Sequence, residues 1–220
     1  NKLNGVETGT SAALVRYSAE QAAGLIEEVG GARPGLLAGY RVKVLDGNWL
    51  DGREHRLQET RSQSAAPLPG KALVVFDPAL EAITDFIPSE DAYTQERALL
   101  SEVLPRVQAS ELWIADRNFC LKGFLWALAQ RGAVGLVREH EQIRFTPLEA
   151  LRGIGEIDAG RVSEQRVLID YPEGPGTLEV RRIRLELNAP TREGETELYL
   201  LTTVPLQAAD ACTLARLYRE

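Results

Sequence analysis

The chain has 220 residues, 44% hydrophobic and 26% charged, a make-up that suits a globular domain able to bury a substantial core. No apolar run approaches the roughly 18 residues of a membrane span, and no basic-then-apolar signal segment opens the chain, so no membrane partner is expected. A formal net charge of −7 weighs against broad nucleic-acid binding, because phosphate contacts need Lys and Arg. Two clusters depart from that acidity: Arg53, His55, Arg56 and Arg61, and Arg181-Arg182-Ile183-Arg184. The two cysteines, Cys120 and Cys212, have no Cys or His partner at metal-ligand spacing and read as reduced core residues. The sequence contains no Met and opens on Asn1, as an internal fragment or an incompletely recorded protein would.

Residues 1–10 are polar and read as loose. Ser18-Ala19-Glu20-Gln21 opens a helix with an acid in its first turn. Ala22, Leu25, Ile26 and Val29 form its apolar face, and Gly30-Gly31 ends it. Residues 40–46 read as a strand that Gly47-Asn48 breaks, followed by a second extended piece over 54–61 and a loop over 65–70. The β-prone run 71–76 pairs with 82–87 as a hairpin across Asp77-Pro78. Residues 92–108 read as a helix with Leu99, Leu100, Val103, Leu104 and Val107 on one stripe, kinked or shortened by Pro105.

Residues 112–116 form a buried strand. The helix after it carries Leu121, Phe124, Leu125 and Leu128 on one face and closes at Gly132; a strand at 134–138 follows. Over 142–190, short alternating runs between Gly and Pro turns read as a β-rich insertion. A strand at 198–203 and a last helix from Ala208, with Ala211, Leu214, Ala215 and Tyr218 at helical spacing, complete the order. The succession is α/β and matches a ribonuclease-H-like mixed sheet flanked by helices. The core is expected over 1–141, the insertion over 142–190, and a return to the core over 191–220, its last helix truncated.

Asp46 and Asp116 share a setting. Each ends an apolar run, and each is followed by a polar or Gly-bearing break, Asp46-Gly47-Asn48 and Asp116-Arg117-Asn118. Sites in open α/β sheets are usually built at strand ends. Two carboxylates brought together repel unless a cation lies between them, and oxygen ligands of this kind select Mg²⁺ or Mn²⁺. Two such ions about 3.5–4 Å apart can clamp the attacking and leaving oxygens of a phosphodiester displacement. The structural alternative is that both residues are caps or turn formers, as Asp commonly is.

Val44-Leu45-Asp46-Gly47-Asn48, taken with Trp113-Ile114-Ala115-Asp116-Arg117-Asn118-Phe119, resembles the DDE transposases of bacterial insertion sequences, in the branch named for its Tyr-Arg-Glu-Lys signature. Asn118 stands where that family usually has Gly. Three further stretches extend the resemblance from about residue 12 to the end. They are Glu54-His55-Arg56-Leu57, the run Phe124-Leu125…Leu128…Gly132…Leu136-Val137-Arg138, and Leu200-Leu201-Thr202-Thr203 before Ala215-Arg216-Leu217-Tyr218.

The resemblance implies a bacterial, cytoplasmic DNA transposase acting on the nucleoid. Asp46 would bridge two Mg²⁺ or Mn²⁺ ions and Asp116 would bind one. Metal-held water would free a 3′-hydroxyl at the transposon end, and that hydroxyl would attack target DNA. The implied partners are double-stranded DNA, as terminal repeats and target, and a second protomer when bound to it. Tyr218 fits the signature Tyr. The signature Arg and the third acid, a Glu, would fall at positions 221 and 225, past Glu220, so the 220-residue chain is expected to be inactive, or nearly so, by itself. Glu220 lies on a different helix face from that acid.

Arg117 reads as a phosphate contact or as the partner of a surface acid. Arg181, Arg182 and Arg184 read as contacts to the transposon end or as a solvated strand face, and His55 as facing DNA or solvent. His140 has no partner for nucleophilic catalysis, and no P-loop or dinucleotide fingerprint is present. Two other functions share the fold: a non-catalytic remnant serving as a binding or scaffold module, and a nuclease with other substrates.

Overall fold

The structure, a computed structural model, describes residues 8–49, 71–89 and 95–219. The basic cluster Arg53, His55, Arg56 and Arg61, the extended piece at 54–61, the loop at 65–70, and Glu220 lie outside the described residues. The chain forms two compact units, Asn1–Pro34 with Val44–Arg106, and Gly35–Lys43 with Val107–Glu220.

In the first unit, helix α1 (Thr8–Glu28) starts well before the expected Ser18. Residues 12–17, Ala-Ala-Leu-Val-Arg-Tyr, contain no helix breaker and extend it toward the N-terminus. Its inward positions are the small Ala12 and Ala19, 3% and 8% exposed, and not the predicted face; Leu25 and Val29 are 63% and 78% exposed. The helix ends as expected. Gly30 at φ +66° lets its N–H reach Glu27 O and the Gly31 N–H reach Ile26 O, a Schellman closure.

Strand β1 (Arg41–Trp49) pairs antiparallel with β2 (Lys71–Asp77), which pairs antiparallel with β3 (Ala82–Ser89). The β2–β3 turn is organised by Asp77, whose carboxylate accepts from the N–H groups of Ala79 and Leu80 at 3.0 and 3.2 Å. The predicted break at Gly47-Asn48 does not occur. Both residues stay in the ladder, opposite Leu73 and Ala72. A Cβ at Gly47 would run into the carboxyl group of Glu96, so this glycine serves close packing and not chain reversal.

The predicted helix over 92–108 is divided into a 3₁₀ turn (Glu96–Leu99), the short α2 (Leu100–Val103) and a second 3₁₀ turn (Leu104–Arg106). Pro105 supplies no N–H for an α-helical last turn. Asp85 in β3 accepts from Arg16 of α1 and from Arg106, each at 2.7 Å, and so ties three elements of this unit together.

In the second unit the first residues of β1 lie beside β4 (Glu111–Ala115). From there the order is β4, β5 (Val134–Arg138), β10 (Glu197–Thr202), β9 (Thr177–Leu187), β8 (Gly160–Asp170) and β6 (Thr146–Pro147), with β7 (Arg152–Ile157) also on β8. Helix α3 (Lys122–Gln130) joins β4 to β5, which run parallel; the pairs from β5 to β8 are antiparallel. Every residue of β4 is buried, as are the first four of β5, which explains their unbroken apolar runs.

The β-rich stretch 142–190 supplies β6 to β9, and β9 pairs with β10 from Glu186↔Glu197 to Arg181↔Thr202. Helix α4 (Ala211–Arg219) closes the described chain, burying Ala211, Leu214, Ala215 and Leu217. An antiparallel meander, parallel β4 and β5 with a helical crossover, a β-rich stretch, a return strand and a final helix make up a mixed α/β fold. That succession is consistent with the ribonuclease-H-like order read from the sequence.

Candidate active site

Asp116 follows the fully buried β4 and is itself exposed. Its Oδ1 accepts from the Asn118 N–H at 2.9 Å, making it the N-cap of a 3₁₀ turn, Arg117–Phe119, whose Phe119 is wholly buried. The cap fixes the carboxylate at the strand end, in the position expected of it. Asp46 is placed differently. It is exposed and lies inside β1, opposite Val74 and three residues before the strand ends, so the expected strand-end position is corrected. Asp46 belongs to the first unit and Asp116 to the second.

Helix α4 is set by Asp210, whose Oδ1 accepts from the Thr213 N–H at 2.7 Å; this bond holds the Asp210 carboxyl below the usual range. The helix carries Tyr218 into the surroundings of Asp116. Burial pushes the Tyr218 phenol up to about 12; Asp116 and Cys120 add to the rise, while Arg138 and Arg117 oppose it. Tyr218, Asp116, Arg117 and Arg138 thus share one electrostatic neighbourhood in the second unit.

Arg117 is paired with acids. Its Nη2 donates to Glu195 at 2.9 Å and to Glu193 at 3.3 Å. Arg138, at the end of β5, forms an ion pair with the same Glu195. Burial pushes the Glu195 carboxyl up, but hydrogen bonds and charge from Arg138 and Arg117 outweigh it and leave Glu195 below the usual range.

The arginines of β9 do not act as one basic face, because neighbours on a strand point to opposite sides. Arg181 is 8% exposed. It donates from Nε to Glu164 at 2.5 Å and from Nη1 to Val204 O and Ala209 O at 2.9 and 2.8 Å. A guanidinium so buried and engaged is not available to DNA, and that expectation is corrected. Arg182 forms a two-pronged pair with Glu139 at 2.6 and 3.0 Å and lies over the rings of Tyr199 and Phe145. Arg184 donates to Glu186 at 3.1 Å. A cavity of 520 Å³ between β8, β9 and residues 202–207 has a charged lining that is largely paired within itself: Arg166 with Glu149 and Glu179, Arg181 with Glu164.

Both cysteines are free thiols, Cys120 buried and Cys212 partly so. Burial pushes the Cys120 thiol up to about 12, with Glu139 adding to the rise and the His140 backbone opposing it. Arg138, Glu193 and Glu195 were not identified from the sequence. Arg138 carried a usable signal, since it ends the strand parallel to the one before Asp116; the two glutamates sit in a polar turn that resembles any other. Among the described residues, no three His, Cys, Asp or Glu side chains gather as a metal site, and no helix is long and apolar enough to cross a membrane.

No family model and no curated protein matches the chain. Among solved structures, the chain is similar to the piggyBac transposase in a synaptic complex with hairpin DNA. Identity is 11% and the TM-score 0.45, over 81% of this chain and 37% of that one. The chain therefore spans well under half the length of that transposase. Likeness at this level identifies neither a family nor a function.

Proposed function

We propose that this chain is part of the catalytic domain of a DNA transposase of the insertion-sequence type, with Asp46 and Asp116 as its metal-binding carboxylates. One observation carries the reading: α4 brings Tyr218 into the electrostatic neighbourhood of Asp116. The resemblance takes Tyr218 as its signature Tyr and Asp116 as its second acid. The site carries the reading, since a fold alone hosts many activities.

The donor chemistry fits a hard divalent cation. Asp46 and Asp116 are exposed carboxylates that follow the buried residues Leu45 and Ala115, and carboxylate oxygens suit Mg²⁺ or Mn²⁺. The third ligand implied by the resemblance falls at position 225. Bound ions of this kind supply Lewis-acid activation of water and of the phosphoryl oxygen. The chain's own residues hold the carboxylates in place through the Asn118 cap and the β1–β2 ladder. Double-stranded DNA is the proposed substrate, engaged by paired protomers.

A strand-transfer assay tests this, using the full-length gene product, Mg²⁺ and a labelled duplex carrying the terminal repeat. Cleavage and joining are expected from the wild type and from neither Asp46→Asn nor Asp116→Asn. Joining by Asp116→Asn at the wild-type rate would sink the assignment; cleavage with no joining would mark a nuclease. The bond from Asn118 N–H to Asp116 favours a second reading, in which Asp116 is simply a cap in a non-catalytic module. In that case Mn²⁺ would bind wild type and Asp116→Asn equally.

A further inference from the structure

We propose that Arg117 and Arg138 form a phosphate-binding pair that Glu193 and Glu195 occupy until nucleic acid displaces them. The inference relies on the transposase reading only for the identity of the anion. The two arginines follow or end neighbouring parallel strands, β4 and β5, and both reach the one carboxylate of Glu195. A carboxylate and a phosphodiester offer a guanidinium the same pair of charged oxygens. Glu195 therefore stands where a phosphate bound by both arginines would stand.

The acids come from a turn built to present them. Between β9 and β10, the Gly194 N–H donates to Thr191 O and the Thr191 N–H to Glu195 O, each at 2.9 Å. The Glu195 N–H donates to Thr191 Oγ1 at 3.1 Å, and Gly194 takes φ +84°. These bonds lie within the turn, so its shape does not depend on the ion pairs. Arg117 is 42% exposed and Glu193 72%. The exposed Arg117–Glu193 pair is individually weak, and a polyanion offering several phosphates can compete for the half-buried Arg138–Glu195 pair as well. This also accounts for cations beside a proposed DNA site in a chain of net charge −7: they are neutralised by the chain's own acids.

The test measures binding of the 220-residue chain to a mixed-sequence DNA duplex by fluorescence anisotropy across a salt series, with inorganic phosphate as the second probe. Glu193→Gln/Glu195→Gln should tighten duplex binding by about tenfold and steepen the salt dependence by about one to two phosphate contacts. Adding Arg138→Ala should cancel the gain. Glu193→Gln alone changes a largely exposed side chain and leaves the fold intact, and it should give part of the gain. Unchanged or weaker binding in Glu193→Gln, including no binding by either protein, overturns the proposal. An equal gain for inorganic phosphate also overturns it, because the pair would then hold a small anion. Strand transfer plays no part in this readout, so its failure and that of the catalytic reading are told apart.

Discussion

Arg181 and Glu164 face each other across β9 and β8 at 2.5 Å, with side chains only 9% and 5% exposed. Two charges taken this far out of water are tolerated only as a pair, and removing one leaves the other uncompensated. Glu164→Ala is expected to cost about 3–5 kcal/mol in urea unfolding, while the apolar double replacement Glu164→Leu/Arg181→Met should recover most of it. A loss under about 0.5 kcal/mol in the single variant, the size of an ordinary surface change, would show that water reaches the pair.

Gly160 begins β8 directly after the turn that leaves β7. Its φ is +152°, and a Cβ there would overlap the backbone carbonyl of Glu186 on β9. Gly160→Ala must either push β9 away or break the register at Leu187, and should destabilise by about 1–3 kcal/mol. Gly153→Ala, on β7 with open space around its Cβ position, is the control and should change stability little. Equal melting temperatures for the two variants would contradict the packing described.

Asp210 caps α4, and its pKa lies below the 3.8 of an ordinary Asp, chiefly through the Thr213 N–H. A carboxyl with a depressed folded pKa contributes stability that is present above its unfolded value and lost as pH falls through the folded one. Asp210→Ala should cost about 1 kcal/mol at pH 7. The difference from wild type should shrink as pH drops below 3.8. A difference that stays constant down to pH 2.5 would mean that the cap does not depend on charge.

Cys120 and Cys212 should differ in reactivity. Thiolate is the reactive form, and burial holds the Cys120 pKa at about 12. At pH 8 a thiol reagent should label Cys212, which is only partly buried, and reach Cys120 only after denaturant is added. Mass spectrometry of the native, labelled protein reads this directly; rapid Cys120 labelling would contradict its burial.

The elements most legible in the sequence were those whose signal is local. The apolar run 112–115 announced β4 because every residue of that strand is buried and the next, Asp116, is polar and exposed. Asp116, at its end, was placed correctly for the same reason. Long-range causes stayed hidden. Gly47 reads as a breaker because the pattern cannot show that a Glu96 carboxyl group packs against it. Helix α1 buries the alanines Ala12 and Ala19, while the larger apolar residues Leu25 and Val29 stay exposed. Arg181 and Arg182 are chemically identical neighbours whose strand alternation sends one to Glu164 and the other to Glu139. Composition had no means of pairing each with an acid 17 or 43 residues away.

The bonds from Arg181 to Val204 O and Ala209 O have one more consequence. They tie β9 to the connection that launches α4, the helix carrying Tyr218. The hairpin of β8 and β9 is therefore not a detachable module. Excising it would remove both members of the Glu164–Arg181 pair and the anchor of the last helix together.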